Sequence, residues 1–381
     1  MYMTLLQLIF WIVCFILFWT YFGYYIFLRV YSIFASKPVK KDEILPSVSL
    51  IITAYNEESR IAEKIENSLA LDYPTDKIEI IVISDGSNDG TTEIVTRYLE
   101  RGVKLIEIPD RVGKHSAQER GIEQTQCEIV VFTDAATHLG PESMRKIVRS
   151  FADPKIGCVS GMDRIDVCGQ PSQGEGIYIN YEMGLRTLES AVSSLIGVSG
   201  SFYAVRKELC ETWYGHLSND FYMPIIARMK GYRSVLDSEA IGSYSVKIKT
   251  EKEFKRKVRT VVHGLDVMFN FWRIMNPFKY GLFSIQMISH KLLRWLAPFF
   301  LILCLVLNFA LAGAGLLYQI VLAFQILSCL AAAAALAIRG LEHNRFFRIP
   351  AFFTMVNLSI LVAWIKFICG ERYITWERTE R

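Results

Sequence analysis

Residues 48–58 read VSLIITAYNEE, and residues 78–90 read IEIIVISDGSNDG. Each stretch begins as a β-branched apolar run, typical of a buried strand, and ends in small, polar and acidic residues. Between the two runs, Ile61, Ile65 and Leu69 recur at helical spacing, and the polar residues 56–58 are suited to start that helix. This order predicts two parallel strands with a helix packed on them.

The same alternation continues to about residue 246. Three more apolar runs lie at Val103–Ile108, Glu128–Thr133 and Ile156–Gly161, with helical stretches between them. Such a pattern predicts an α/β fold in which a mostly parallel sheet is covered by helices on both faces. In sheets of this kind, ligands bind beyond the carboxyl ends of the strands. The residues that follow each run are therefore the candidate functional site.

The two flanks of this region are apolar enough to suggest a membrane protein. Of the 381 residues, 52% are hydrophobic, and an uncharged run extends from about Leu5 to Leu28. A run of that length crosses the hydrocarbon core of a bilayer as a helix. Three further spans are predicted near Trp295–Gly313, Leu316–Ile338 and Ile349–Cys369. The first span is followed by basic residues that place its far side in the cytoplasm: Arg29, Lys37, Lys40 and Lys41.

We therefore expect four parts. Residues 1–35 form an N-terminal transmembrane helix with its basic flank, and residues 36–246 form a cytoplasmic α/β domain. Residues 247–293 contain basic and interfacial amphipathic helices, and residues 294–381 form a membrane domain with about three transmembrane helices. In the third part, one helical face carries Leu282, Ile285, Ile288 and Leu292 and predicts a helix lying in the membrane interface, with a soluble surface helix as the alternative.

The overall charge and the cysteines exclude some other classes. The net charge of +4 is too small to indicate a nucleic-acid partner, although it suits contact with a bilayer. Eight cysteines are scattered without a C-x-x-C pair, which favours reduced structural thiols over disulfides. Together with the spans, this predicts a multi-pass protein of the cell (inner) membrane. The side on which the C-terminal tail lies stays open.

The first three strand ends carry groups suited to a nucleotide diphosphate. Tyr55 and Glu57 can cover a base and bind its ribose, although they also suit a simple helix start. Asp85 would point at the nucleobase from a turn that the glycines of residues 86–90 permit, but Asp-Gly pairs are common in ordinary turns too. Lys114 opens a helix, where it is suited to meet a phosphate that the helix terminus attracts.

Three further groups suit catalysis. Asp134 ends an apolar strand in the cleft, where a divalent ion bridging it to a diphosphate, or simple capping of the next turn, would stabilise it. Asp220 follows the glycine-containing loop 197–201 and suits a general base, with an ordinary N-cap as the alternative. Arg256 and Arg259 share a helical face and can clamp a leaving diphosphate or bind anionic lipid. His115 is expected on a helix surface, with nucleotide contact as the alternative.

Together these motifs resemble family 2 glycosyltransferases of the membrane synthase type, which include cellulose, hyaluronan and poly-N-acetylglucosamine synthases. The resemblance extends from about Pro46 to Arg259 and depends on the order AYNEE, SDGS, GK before a helix, TDA, a glycine loop and ND. It implies a GT-A fold, the fold of nucleotide-diphospho-sugar transferases, and inversion at the anomeric carbon by direct displacement.

The resemblance also implies roles for individual residues. Ala54, Tyr55, Glu57 and Asp85 would hold the uridine, and Lys114 would lie along the nucleotide. Asp134, followed by Ala135, matches the first aspartate of the Asp-x-Asp motif and would ligate Mg²⁺ or Mn²⁺. Asp220 matches the catalytic base, and residues 256–260, with Arg256 and Arg259, align with the Gln-x-x-Arg-Trp motif of processive synthases.

Three positions depart from the family pattern. Ala136 stands where the second motif aspartate, usually the direct metal ligand, is expected, so water or the donor would have to supply that ligand. Asn219 replaces the glutamate before the base. Thr260 replaces the tryptophan on which an acceptor sugar stacks, and Arg256 replaces the glutamine, which weakens the case for processive synthesis.

The resemblance predicts an inverting membrane enzyme that transfers a hexose or N-acetylhexosamine from a UDP-sugar to a saccharide or glycolipid acceptor, in the synthesis of an exported polysaccharide. Transfer of a single sugar to a polyprenyl phosphate or lipid is the closest alternative. A non-catalytic, nucleotide-sensing membrane subunit is the alternative from another class. The donor sugar, the linkage, the acceptor and any protein partner are not determined by the sequence.

Overall fold

The predicted strands form one sheet. A computed structural model describes residues 2–167, 173–246, 250–338, 340–341 and 344–373, and it contains eight strands in these ranges. The strands are β1 Val48–Ala54, β2 Ile78–Asp85, β3 Val103–Ile108, β4 Ile129–Asp134, β5 His138–Leu139, β6 Ile156–Val167, β7 Phe202–Arg206 and β8 Arg233–Val246. All five predicted strands are present, and the first residue of each lies within about one residue of the predicted start.

The strand order is β3-β2-β1-β4-β7-β6-β8-β5. Strands β1 to β4 pair in parallel, as do β6 and β8. Strand β7 runs antiparallel between β4 and β6, and β5 is antiparallel to β8. The prediction of a mostly parallel sheet is thus confirmed. The sequence did not reveal β5, β7 and β8, because β5 has only two residues, β7 follows a glycine and serine loop, and β8 mixes polar residues into its run.

Helices cover the sheet on both faces. They are α3 Ile61–Leu69, α4 Thr91–Thr96, α5 Lys114–Gln124, α6 Ser143–Val148, α7 Gln173–Val192, α8 Asn219–Met229 and α9 Thr250–Asn270. Successive residues of β1 point to opposite faces, so Ile51 joins a core with α5 and α8, whereas Leu50 and Ile52 join another with α3 and α6. Fully burying such an aliphatic side chain stabilises the fold by about 1.5–3 kcal/mol, and this alternation therefore secures the strand register.

The helix α3 begins later than residues 56–58 suggested. Asn56 has a φ of 53°, in the left-handed region, and its side-chain oxygen accepts the backbone N–H of Asn88 at 2.9 Å. Its own N–H donates to the Ser87 hydroxyl at 3.2 Å. Asn56 therefore joins the loops after β1 and β2, and regular helix begins only at Ile61.

The remaining helices are apolar. They are α1 Tyr2–Phe18, α2 Tyr24–Ala35, α10 Pro277–Tyr280, α11 Leu282–Gln286, α12 Leu293–Ala310, α13 Leu316–Ala337 and α14 Arg345–Ile368. Within the described residues, four helical segments are long and apolar enough to cross a membrane: Met3–Ala35, Leu282–Ala310, Leu316–Ala337 and Arg345–Ile368. Two of them contain π-helical turns, Trp19–Gly23 and Met287–Leu292.

One boundary differs from the sequence prediction. The amphipathic stretch that carries Leu282, Ile285 and Leu292 is continuous with the following span, and the two together form the segment Leu282–Ala310. The π-helical turn accommodates the polar residues of that stretch without ending the helix.

Helix α9 packs against α14 and α8, and its residues Val258, Val262 and Leu265 belong to the same apolar core as Ile51. The sheet and the apolar helices thus share one core.

Candidate active site

Four strand ends meet at one edge of the sheet. The register pairs Thr53 with Asp134 and Ala54 with Ser84 across neighbouring parallel strands, so β1, β2 and β4 end side by side. Asp85, the last residue of β2, lies opposite Ile108 at the end of β3. The loops that carry the predicted site residues therefore start at the same edge, as the sequence pattern predicted.

A cavity of about 120 Å³ opens at this edge. It is lined by Lys114, His115, Asp134, Asp163, Gly200, Ser201, Ser218, Asn219, Asp220 and Tyr244. Three residues predicted from the sequence, namely Lys114, Asp134 and Asp220, are among them. Three carboxylates and an ammonium group thus face one small space, which suits a charged ligand and proton transfer.

Lys114 and Asp134 form an ion pair on one side of the cavity. Lys114 is the first residue of α5, after Gly113 with a φ of 95°, a conformation that favours glycine. The Lys114 Nζ lies 2.6 Å from Asp134 Oδ1, and it also donates to the carbonyl oxygen of Gly200 at 3.0 Å. Asp134 therefore has the cationic partner that a carboxylate at the end of an apolar strand requires, and it is not simply a turn cap.

Asp220 lies on the opposite element, in the first turn of α8. The N-cap residue of this helix is Ser218, whose hydroxyl donates to Asp220 Oδ1 instead of capping the helix, so Asp220 is not the N-cap. The glycine loop closes on the carboxylate: a Cβ atom added at Gly200 would lie 2.9 Å from Asp220 Oδ2. Glycine at position 200 is therefore what allows the backbone to approach the predicted base.

The Asp85 carboxylate holds a loop in place. Its two oxygens accept the backbone N–H groups of Val112 at 2.8 Å and Gly113 at 2.9 Å. Asp85 does not belong to the described cavity lining, but Gly113, which it binds, directly precedes Lys114, so Asp85 positions the loop that presents that lysine. The predicted contact between Asp85 and a nucleobase stays a prediction.

An arginine that was not predicted lies against Tyr55. The Arg111 guanidinium carbon is 3.8 Å from the centre of the Tyr55 ring, which is a cation–π contact. Its Nε and Nη2 atoms are buried and have no hydrogen-bond partner among the residues that the structure describes. The signal was present in the sequence, since Arg111 begins the motif that contains Gly113 and Lys114. Its role was not apparent because only the folded loop brings it onto the ring.

The other predicted donor residues lie nearby. The Glu57 N–H donates to the Thr91 hydroxyl at 2.8 Å, and its carboxylate lies 3.4 Å from the Arg60 guanidinium. Ala54 ends β1 and Ala135 follows β4, and both are buried. The loop after β1 is thus tied to the loop after β2, which keeps Tyr55 beside Asp85. None of these residues lines the cavity in the described part of the chain.

Arg256 and Arg259 lie on the predicted helix, α9. Neither of them is among the described residues that line the cavity. Arg256 makes two hydrogen bonds of 2.8 Å to Glu253, one turn back on the same helix. A diphosphate clamp that includes Arg256 would require this ion pair to open. The basic residues Lys247 and Lys249 lie outside the described residues.

Two histidines near Asp220 complete the site. His115 is buried and lines the cavity, so the expectation of a surface position is wrong. Burial, assisted by the charge of Lys114, lowers the pKa of His115 to about 4, and the ring is therefore neutral near pH 7. Burial also lowers the pKa of His263 on α9. The charge of Asp220 opposes this shift, and the charge of Arg259 adds to it. Helix α9 thus brings His263 within electrostatic reach of both Asp220 and Arg259.

Asp163 and Lys64 are charged residues that sequence reasoning did not select. Asp163 Oδ1 accepts the hydroxyls of Ser199 at 2.6 Å and Ser201 at 2.5 Å. Lys64 lies beneath the loop after β4 and donates to Thr133 Oγ1 at 3.0 Å and to the Thr137 carbonyl at 2.6 Å. Burial lowers the pKa of Lys64 to about 7, although Asp134 opposes the shift. Neither residue stood in a recognisable motif.

Comparison with known proteins finds a family match that covers part of the chain. Residues 49–213 match the model of Glycosyl transferase family 2. Poly-beta-1,6-N-acetyl-D-glucosamine synthase from Staphylococcus aureus (strain COL) is 27% identical over 269 residues, which are 67% of this chain and 64% of that protein. The protein of the same description from Staphylococcus epidermidis is 25% identical over 307 residues, which are 77% of this chain and 72% of that protein.

A solved structure has the same fold. The mannosyltransferase PcManGT from Pyrobaculum calidifontis, determined in complex with GDP-Man and Mn²⁺, has a TM-score of 0.73 at 23% identity, and the match covers 96% of this chain and 100% of that chain. Fold and family match together define a glycosyltransferase with a GT-A fold, and hence an enzyme. Residues 49–213 match a family 2 glycosyltransferase domain, and the chain is similar to polysaccharide synthases of the membrane type.

Proposed function

We propose that the chain transfers a hexose or N-acetylhexosamine from a UDP-sugar to a saccharide or glycolipid acceptor, with inversion, in the synthesis of an exported polysaccharide. The observation that carries this proposal is the convergence of Lys114, Asp134 and Asp220 on one cavity at the carboxyl edge of the sheet. The names of the staphylococcal relatives support a saccharide product. The aligned region spans only 64% of the first relative's length, so its substrate is carried over as a proposal.

In this mechanism the uridine occupies the space beside Tyr55, Glu57, Asp85 and Arg111, with Ala54 and Ala135 forming its walls. The ion pair of Lys114 with Asp134 supports the position of the diphosphate, because Lys114 already points into the cavity. A phosphate that displaces the aspartate from the lysine keeps the ammonium group paired with an anion. The N–H groups at the start of α5 are also available to an anion.

Asp220 acts as the general base. The acceptor hydroxyl oxygen forms a bond to the anomeric carbon while the bond from that carbon to the donor phosphate oxygen breaks. The nucleoside diphosphate leaves with the electron pair, and Asp220 takes the hydroxyl proton. Positive charge from Lys114 stabilises the leaving group, and Arg259 of α9 adds to it in this mechanism. Arg256 joins them once its pair with Glu253 opens. Direct displacement of this kind inverts the anomeric configuration.

A divalent cation is compatible with Asp134, though with few protein ligands. No group of three or more His, Cys, Asp or Glu residues within the described ranges is arranged to hold a metal ion. Mg²⁺ commonly keeps waters and substrate phosphates in its coordination sphere and takes only one or two carboxylates. Asp134 would then be the protein ligand of Mg²⁺ or Mn²⁺, and the ion would neutralise charge on the diphosphate.

Thr260 favours a second candidate, the transfer of a single sugar to a polyprenyl phosphate or lipid. Thr260 is exposed, and its hydroxyl donates to the Arg256 carbonyl oxygen of its own helix at 3.0 Å. Position 260 therefore offers no aromatic surface on which a growing chain could stack. The four apolar segments and the basic residues after the first suit either candidate, with the catalytic domain on the cytoplasmic side of the cell (inner) membrane.

A donor screen with purified full-length protein tests the proposal. UDP-, GDP- and dTDP-sugars are supplied with Mg²⁺, Mn²⁺ or a chelator, and transfer to a membrane extract is followed together with product length. Transfer from a UDP-sugar with an inverted linkage is expected. Exclusive use of another nucleotide, or retention of the anomeric configuration, would contradict the proposal. A ladder of products indicates processive synthesis, whereas a single product indicates the second candidate.

A further inference from the structure

A second charged cluster lies where the sheet domain meets the apolar helices. We call it the junction cluster; it consists of Tyr181, Glu182, Arg186 and Glu189 from α7, Tyr24 from α2, and His290, Lys291 and Arg294 from the segment Leu282–Ala310. Ionisable groups at the level of a membrane span are costly, and they usually mark a functional site. The sequence motifs of the family do not include these residues.

The two π-helical turns meet beside this cluster. The Trp19 Nε1–H of the first turn donates to the Ser289 hydroxyl of the second at 3.0 Å. Tyr24, directly after the first turn, donates to Glu189 Oε1 at 2.7 Å, and His290 Nδ1 lies 2.8 Å from the same oxygen. π-helical turns are rare and concentrate at functional sites. Here they aim polar side chains of both spans at one acidic helix face.

Most charges of the junction cluster are paired. Glu182 lies 3.1 Å from His290 Nε2 and accepts a hydrogen bond from Arg294 Nη1. Burial raises the pKa of Glu182, but the neighbouring Arg294, His290 and Lys291 outweigh it and hold this pKa well below its ordinary value. The Arg186 guanidinium donates to the Ser160 hydroxyl at 2.6 Å and lies 3.8 Å from Asp163 Oδ2. The cluster therefore connects directly to an acid of the active-site cavity.

Lys291 differs from the other cations. Within the described residues its ammonium group has the Phe221 ring as its close contact, with Nζ 5.7 Å from the ring centre, and it has no ion pair within 4 Å and no hydrogen bond. Arg186 Nε and the Tyr181 hydroxyl are also buried, and no residue of the described ranges makes a hydrogen bond to either of them. Three donors of one cluster are thus left for an anion. Phe221 follows Asp220, so Lys291 lies next to the residue that adjoins the predicted base.

We propose that Lys291, supported by Arg186 and Tyr181, binds the phosphate or diphosphate of a lipid-linked saccharide acceptor whose sugar hydroxyl reaches Asp220. The inference rests on the proposed function, since it specifies the acceptor of that same site. A neutral polysaccharide chain needs no cation at the membrane surface, whereas a polyprenyl diphosphate carries charge at that level and an apolar tail beside the span. The outer face of the segment Met3–Ala35 exposes Phe18, Phe22 and Ile26, which suit such a tail.

Binding by purified full-length protein in detergent micelles tests this assignment. Native mass spectrometry measures the dissociation constants of farnesyl diphosphate, farnesol and phosphatidic acid. Wild type is expected to bind farnesyl diphosphate at least about tenfold more tightly than the other two, a difference that one charge-assisted contact supplies. Lys291→Gln is expected to remove that difference, and Lys291→Arg to retain most of it.

Lys279 provides a matched control. Its ammonium group also lies over an aromatic ring, 5.3 Å from the centre of Tyr280, but it is exposed and lies outside the junction cluster. Lys279→Gln should bind farnesyl diphosphate like wild type. Equal loss in the Lys279 and Lys291 variants, or phosphatidic acid bound as tightly as farnesyl diphosphate, would reduce the cluster to a general lipid contact and overturn the proposal.

Binding of UDP to the same samples separates the two proposals. The uridine contacts lie at the ends of β1 and β2, away from the junction cluster, so UDP should bind the Lys291→Gln and wild-type proteins equally. Failure of UDP to bind wild type would remove the proposed donor while leaving the lipid result intact. Loss of UDP binding only in Lys291→Gln would show that this substitution disturbs the donor site, which contradicts a separate acceptor-phosphate site.

Discussion

The two ends of the candidate donor site are organised differently. At the nucleobase end, Asp85 already accepts two backbone N–H groups and Arg111 already lies on Tyr55, so the loops are held in place before any ligand binds. At the phosphate end, Lys114 and Asp134 satisfy each other. The first end is preorganised by hydrogen bonds to the backbone and by a cation–π contact, whereas the second must exchange an internal ion pair for a ligand. Substitutions at the two ends should therefore affect binding and turnover differently.

The largest effect is expected at Asp220, which belongs to neither end. Asp220→Asn keeps the shape of the side chain but cannot accept the acceptor proton, so turnover should fall by several orders of magnitude, near the upper limit of about 10⁴ for general base catalysis. Steady-state transfer and equilibrium UDP binding measure the two effects, and UDP binding should be unchanged. The exposed residue Asp72 provides a control as Asp72→Asn. Turnover close to wild type would remove Asp220 from the role of base.

Lys114→Met should have the next largest effect, at the phosphate end. It removes a charge-assisted contact worth about 1.5–3 kcal/mol and leaves Asp134 without this cation beside the diphosphate. UDP affinity should fall by about ten- to a hundredfold, as measured by isothermal titration calorimetry. Double substitution of Lys114→Met with Asp134→Asn should recover part of the loss, because the repulsive carboxylate is gone. An additive loss in the double variant would show that the ion pair is not exchanged on binding.

Arg111→Ala should have a smaller effect, confined to the nucleobase end. A cation–π contact contributes about 0.5–2 kcal/mol, so UDP affinity should fall by about three- to thirtyfold. Turnover at saturating donor should stay near wild type, because Asp85 still holds the loop. Arg101→Ala is a matched control, since Arg101 also lies over a tyrosine ring, at 5.3 Å from Tyr98, but away from the site. A large fall in turnover without a change in affinity would place Arg111 in catalysis instead.

The smallest effect concerns Lys64, beneath the phosphate end. Its pKa is about 7 in the folded protein and about 10.5 when unfolded, so the unfolded chain binds more protons between these values. The free energy of unfolding should therefore rise with pH from 7 to about 10, by up to a few kcal/mol. Thermal midpoints in detergent at several pH values measure this slope, and Lys64→Met should flatten it. If the pH dependence of stability is unchanged in the variant, it comes from titratable groups other than Lys64.

The extent of prediction from sequence can be judged from particular residues. Asp134, Lys114 and Asp220 each stand at the junction of a periodic element with a turn, so their type and position alone indicated a shared edge of the sheet. Arg111 stands in the same motif, but only the loop geometry shows that its guanidinium lies on Tyr55. Strand β7 was missed because its apolar run, residues 202–205, is short and follows a glycine and serine loop, and β8 was missed because polar residues interrupt its run. Pairing with β4 and β6 compensates for these weak local signals.

The amino-acid sequence by itself determined the α/β domain, the apolar helices at both ends and the order of the glycosyltransferase motifs. These features depend on local periodicity and on residue type, which a linear sequence displays directly. The tertiary structure decided which charges meet: Lys114 with Asp134, Arg186 with Asp163, and Glu182 with His290 and Arg294. The physical reason is that an ion pair forms between residues far apart in the chain, and only packing of the elements brings them within contact distance.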